Sequence, residues 1–128
     1  MMQSLSTVLS FNIGGEAFKK LHRAAAAVGA EVCEVPQADF SQSVGALIGV
    51  LPRAQSVCMS PFSEPMLVMS AFTRAQMEQF LDILKAEAVF VPYKAMLTPT
   101  NITWQCDALI EELKKEHEQI RRMKQSHA

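Results

Sequence analysis

The sequence predicts an α/β fold: two strand-helix-strand-helix halves in a single domain, sharing one four-stranded, at least partly parallel sheet covered by helices. Three observations predict it. The apolar spacing alternates between strand and helix periods in the order β-α-β-α, and then repeats that order. A stretch with Pro61, three serines and little periodicity, residues 53–64, separates a first half, 1–52, from a second, 65–128. The chain closes on a long, charged amphipathic helix. An α+β grouping of the same elements is the alternative.

Thr7 to Ile13 is β-rich, and Gly14-Gly15 punctuates it. Glu16 to Val28 reads as a helix through Phe18, Leu21, Ala25 and Val28, with Gly29 suited to a left-handed cap. Glu31 to Pro36 is a short strand, its polar residues favouring a two-layer arrangement with one wetter sheet face. Ser41 is placed to cap a short helix carrying Val44, Leu47 and Ile48 inward.

In the second half, Pro65 to Phe72 reads as a buried strand. Thr73 and Gln76 have capping-box spacing, and Phe72 can staple onto Met77. Val89 to Leu97 is the fourth strand, ended by Thr98-Pro99-Thr100-Asn101. The last helix is expected from Ile102 or Thr103 towards Met123, with Cys106, Leu109, Ile110, Leu113 and Ile120 on its inner stripe. Glu111–Lys115 and Lys114–Glu118 have the spacing of outer-face ion pairs. Short echoes, such as Val35-Pro36 against Val91-Pro92, add to the repeated element order as signs of internal duplication.

Composition narrows the function classes. A net charge of −1 supplies no field for steering onto nucleic acid. Phe11, Phe90 and Tyr93 are too few for a base-stacking sheet face, so no nucleic-acid partner is expected. Phe40 to Pro52, an uncharged apolar-leaning stretch, is too short to span a bilayer. Met1-Met2-Gln3 opens without a basic region and apolar run, so no secretory leader is expected. Cys33, Cys58 and Cys106 form no close-spaced pair, which fits a cytoplasmic protein without a disulfide framework. Cys33 is expected to be buried and Cys58 exposed. His22, His117 and His127 lack metal-ligand spacing, and Gly14-Gly15 lacks the phosphate-loop pattern, so neither metal nor cofactor is expected.

The polar residues that invite a site lie between Lys94 and Trp104. In open α/β sheets the C-terminal strand edge, beside helix N-termini, favours anions. Lys94, Thr98, Thr100 and Asn101 could bind a carboxylate or phosphate there, with Trp104 as a wall. The competing reading makes Thr98 and Pro99 a strand end, Thr100 or Asn101 a helix cap, and Trp104 a core residue.

Pro65-Met66-Leu67-Val68, Lys94-Ala95, and Thr98-Pro99-Thr100-Asn101-x-x-Trp104 before a Glu-rich helix together resemble a bacterial family. That family is classed as domain of unknown function 3783, and the resemblance covers about residues 65 to 117. Tyr93 departs from the aliphatic residue usual before Lys-Ala. The resemblance implies no substrate, cofactor or catalytic residue; it marks Lys94, Thr98, Pro99, Thr100, Asn101 and Trp104 as the family's signature.

The leading expectation is a non-catalytic binding or regulatory module that recognises a small anionic ligand or a partner protein through the Lys94–Trp104 edge. The alternative is an enzyme using a desolvated Lys94 as electrostatic or covalent catalyst. The sparse apolar residues of the final charged stretch allow a homodimer contact or a solvated tail.

Overall fold

The first strand and the third lie side by side at the centre of one sheet in the computed structural model, which describes residues 6–126. Met1-Met2-Gln3 and His127 lie outside the described residues. Strand β1 (Thr7–Phe11) runs antiparallel to β3 (Met66–Ser70), with Leu9 opposite Val68. Each central strand carries a parallel partner on its outer side, β2 (Glu31–Glu34) on β1 and β4 (Tyr93–Met96) on β3. The order is therefore β2-β1-β3-β4, a mixed sheet built from two parallel pairs.

The central strands are apolar on both sides because both sides are covered. Helices α1 (Gly15–Ala27) and α3 (Arg74–Ala86) pack Leu21, Ala24, Ala25, Phe80 and Leu84 onto Val8, Leu67 and Met69. Helices α2 (Val44–Leu47) and α4 (Cys106–Ser126) pack the opposite face, where Val44, Cys106, Leu109 and Ile110 meet Leu9, Phe11, Met66 and Val68. The expected wetter face is thus corrected to three layers. Glu31, which with nearby Gln37 suggested it, sits on edge strand β2 and reaches solvent from the sheet margin.

Local chemistry explains where elements begin. The Thr73 hydroxyl accepts from Gln76 N at 3.0 Å, and Gln76 Oε1 accepts from Thr73 N at 2.9 Å, closing the capping box. Phe72 and Met77 pack against the same core. The short helix is capped by Ser43, whose hydroxyl accepts from Ala46 N, and not by Ser41. A 3-10 turn at Gln37–Asp39 comes first, and α2 starts only at Val44.

The fourth strand is shorter than its apolar run. Val89 N bonds back to Leu84 O at the end of α3, and pairing with β3 begins only at Tyr93, after Pro92. A second 3-10 turn, Asn101–Thr103, delays α4 to Cys106. On α4 the observed pairs are Lys114–Glu111, Lys115–Glu112 and Glu118 with Arg121 and Arg122, in place of the expected ones. Lys114 also pairs with Glu64, whose carboxyl is thereby held below its usual range.

The two halves meet a second time away from the sheet. Val44 N donates to Trp104 O at 2.9 Å while Cys106 N donates to Gln42 O at 3.0 Å, so the starts of α2 and α4 clasp each other reciprocally. A side chain at Gly45 would stand 2.9 Å from the Ile102 carbonyl oxygen, so only glycine permits this approach. The connector is fastened as well. Buried Gln42 holds Ala54 through both its N–H and its carbonyl, and Asn12 donates to Phe62 O and Glu64 O. No helix among the described residues is long and apolar enough to cross a membrane.

Candidate functional site

Strand alternation divides the residues marked by the sequence. On β4, Met96 packs into the core under α1 and α3, and Lys94 shares that side by its even spacing. Tyr93, Ala95, Leu97 and Trp104 join the core under α2 and α4. Lys94 and Trp104 therefore serve opposite faces of the sheet and do not line one pocket.

Thr98, Asn101 and Trp104 are brought together, by bonds among themselves. Asn101 Oδ1 accepts from Thr98 N at 2.8 Å, and Thr98 Oγ1 accepts from Asn101 N at 3.0 Å. Asn101 Nδ2 donates to Met96 O at 3.0 Å, and Trp104 N donates to Asn101 O at 3.0 Å. This is a capping box at half scale, with Thr98 in the cap position and Asn101 in the role of the longer Gln76. Asn101 is only 8 % exposed and has its amide committed at both ends. Met96 has an outward-facing carbonyl on an edge strand, so the same amide also closes part of that edge. Thr100 is exposed on this turn. Thr100 stands at the N-cap of the 3-10 turn without a side-chain cap hydrogen bond, and neither it nor Asn101 caps α4, which starts at Cys106.

Lys94 belongs to another constellation, at the opposite end of β4. A groove of about 650 Å³ opens between the C-terminal half of α3 and the segment leading into β4. Leu81, Leu84, Val89, Phe90, Val91 and Pro92 make its apolar walls, and among the described residues Lys85 and Lys94 are its only charged lining side chains. Lys94 Nζ donates to Val91 O. Among the described residues no carboxylate lies within ion-pair distance of either lysine. Sequence reading missed Lys85 and Phe90. The available signal was Val89-Phe90-Val91-Pro92, an apolar run too long for a four-residue strand and ending in a residue without an N–H.

The remaining reactive side chains are dispersed. Cys33 is exposed on β2, which corrects its expected burial: a four-residue edge strand shields only part of each side. Cys58 is half-buried beside Phe62, contrary to its expected exposure, because the connector is fastened down. Burial and the neighbouring Asp107 push the Cys106 thiol up to about 12, far from a reactive thiolate. Labelling with a thiol-specific disulfide reagent should accordingly modify Cys33 first and leave Cys106 untouched until the chain unfolds; early Cys106 reaction would contradict its packing. The His117 ring lies 4.9 Å from Tyr93 on exposed α4 surface. No group of three metal-ligating side chains gathers among the described residues.

Fold and site together define a small three-layer α/β protein with a lysine-rimmed apolar groove beside an edge strand. Residues 65–120 match the profile of Domain of unknown function (DUF3783), so the half that carries the groove resembles that family. Curated proteins and solved structures give no match.

Proposed function

We propose that this protein is a non-catalytic binding module whose groove beside Lys94 takes a small anionic ligand with an apolar body. One observation carries the reading: Lys85 and Lys94 flank an apolar groove, and among the described residues no carboxylate pairs with either. A groove of this size suits a small molecule, with a few polar groups fixing its orientation. The Thr98–Asn101 turn then positions β4, with the Asn101 amide committed to Thr98 N and Met96 O. Calorimetric titration with octanoate should show binding that weakens about tenfold in Lys94→Ala and Lys85→Ala, the scale of one charge-assisted contact. Unchanged affinity in both variants would remove the groove from consideration.

The enzymatic alternative is less well supported. A covalent or basic lysine is activated by desolvation, whereas Lys94 is exposed and hydrogen-bonded to a carbonyl. The equal lengths of α1 and α3 and the reciprocal clasp of α2 with α4 support an internal duplication. A bacterial cytoplasm is the setting we infer, from the family resemblance and three free thiols.

A second surface supports self-association. Helix α4 has 21 residues against 13 for α3, and Ile120 near its end is 52 % exposed. Pairing of two α4 ends would cover that stripe. Light scattering should show a dimer at high micromolar concentration that Ile120→Lys converts to monomer. A wild-type monomer at that concentration would contradict this assignment.

A further inference from the structure

The two halves end their first helices alike and then diverge. In the first half Gly29 adopts a left-handed conformation, Ala30 N bonds back to Ala25 O, and β2 begins at once with Glu31. In the second half Ala88 takes the left-handed position and Val89 N bonds back to Leu84 O, but Phe90-Val91-Pro92 intervene before β4 starts at Tyr93. This closure, with its backward bond from the residue after the left-handed one, is a common helix stop. The three intervening residues are what the groove is built on, and the first half has no counterpart.

Phe90 is 77 % exposed, an unusual placement for a large aromatic in a segment this short. It borders two depressions at once. One is the lysine-rimmed groove; the other, of about 300 Å³, is lined on its far side by Ile13, Gly14, Ala17 and Pro65. Val89, Phe90 and Val91 line both. An apolar track therefore passes over Phe90 from a doubly cationic end to an end without charged lining residues.

We propose that the ligand is a single-chain carboxylate of the fatty-acid class, its carboxylate held between Lys85 and Lys94 and its chain laid across Phe90 towards Ile13 and Ala17. The proposal rests on the anion-binding reading above and deepens it. Charge selects the head: among the described residues both charged side chains of the first depression are lysines, and no acidic residue lines either depression. Shape selects the tail, because the two depressions lie on either side of one aromatic and only an extended apolar chain engages both.

The test is a calorimetric series of butanoate, octanoate, decanoate and dodecanoate, below their micelle-forming concentrations, against the full chain. Half-covered methylenes in an open track should raise affinity about twofold each. Ala17→Glu places a charge in the second depression at a half-buried first-turn position, where a carboxylate suits the helix N-terminus. It should weaken dodecanoate about tenfold and leave octanoate within about twofold, as expected for loss of several half-buried methylenes from the longer ligand alone. Dodecanoate binding no tighter than octanoate, or an equal effect of Ala17→Glu on both, would overturn the chain assignment while octanoate still depended on Lys94. Failure of every carboxylate to bind would overturn the anion-binding reading as well. A dimer in sedimentation that Phe90→Ser disrupts would show a second copy on the track and also defeat the proposal.

Discussion

Phe40→Ala should strongly destabilise the fold. Phe40 is fully buried between Phe11 of β1 and Phe62 of the connector, with ring centroids 5.3 Å and 4.5 Å away. Its own carbonyl accepts from Asp107 N, so the ring is anchored at the start of α4 and its neighbours cannot collapse far into the space it leaves. Truncating a buried phenylalanine in such a place costs about 3–5 kcal/mol. That is a large share of the roughly 5–15 kcal/mol that stabilises a domain of this size. Thermal unfolding should shift down by ~10–20 °C, at about 3–5 °C per kcal/mol. Phe40→Leu, which keeps most of the volume, should lose about 1 kcal/mol. A loss below about 1 kcal/mol for Phe40→Ala would mean that the connector does not pack against the sheet as described.

Asn101→Ala should cost nearly as much, and it separates a structural role from a ligand-binding one. The change strips Thr98 N of its acceptor and Met96 O of its donor at a site that is 92 % shielded. Each stranded group costs about 1–3 kcal/mol, so denaturant titration should report a loss of about 2–3 kcal/mol. Asn101→Asp sharpens the test. An ionised carboxylate still accepts from Thr98 N, but its second oxygen faces Met96 O without a proton to share. Burial and that carbonyl raise the introduced group's pKa. The variant's deficit should therefore be largest at neutral pH and shrink as pH falls and the carboxyl protonates. Octanoate affinity of the folded variants should stay within about twofold of wild type, since neither change touches the lysine-rimmed groove. Full stability with lost binding would return Asn101 to the ligand site.

The architecture was legible wherever spacing alone decides it. Apolar spacing at Val8–Phe11 and Met66–Met69 marked strands, the second of them buried, and the Thr73–Gln76 spacing marked a helix start that forms as read. Boundaries failed where a three-dimensional partner overrides the local pattern. Ser43 displaced Ser41 as a cap because the chain first turns through Gln37–Asp39. Val89–Pro92 resembled strand in composition but had no edge to pair with. The covering of both sheet faces was hidden for a similar reason: α2 is only four residues long, and its burial depends on the reciprocal bonds to Trp104 and Gln42 near α4.

The site was legible in part. Lys94 stood out as a lysine in a strand, and Thr-Pro-Thr-Asn as a polar cluster. Adjacency in sequence suggested one site, but β4 separates them, since its alternation sends Lys94 and the Trp104 core to opposite faces. Lys85 and Phe90 carried no motif. Their contribution depends on α3 lying beside the segment that enters β4, a tertiary relation that no spacing encodes.

Amide chemical-shift mapping during an octanoate titration tests the central claim most directly. The expected perturbations cluster at Leu81, Leu84, Lys85, Phe90 and Lys94, and fade in Lys94→Ala. Shifts confined to Thr98, Thr100 and Trp104, or an absence of saturable shifts anywhere, would contradict it.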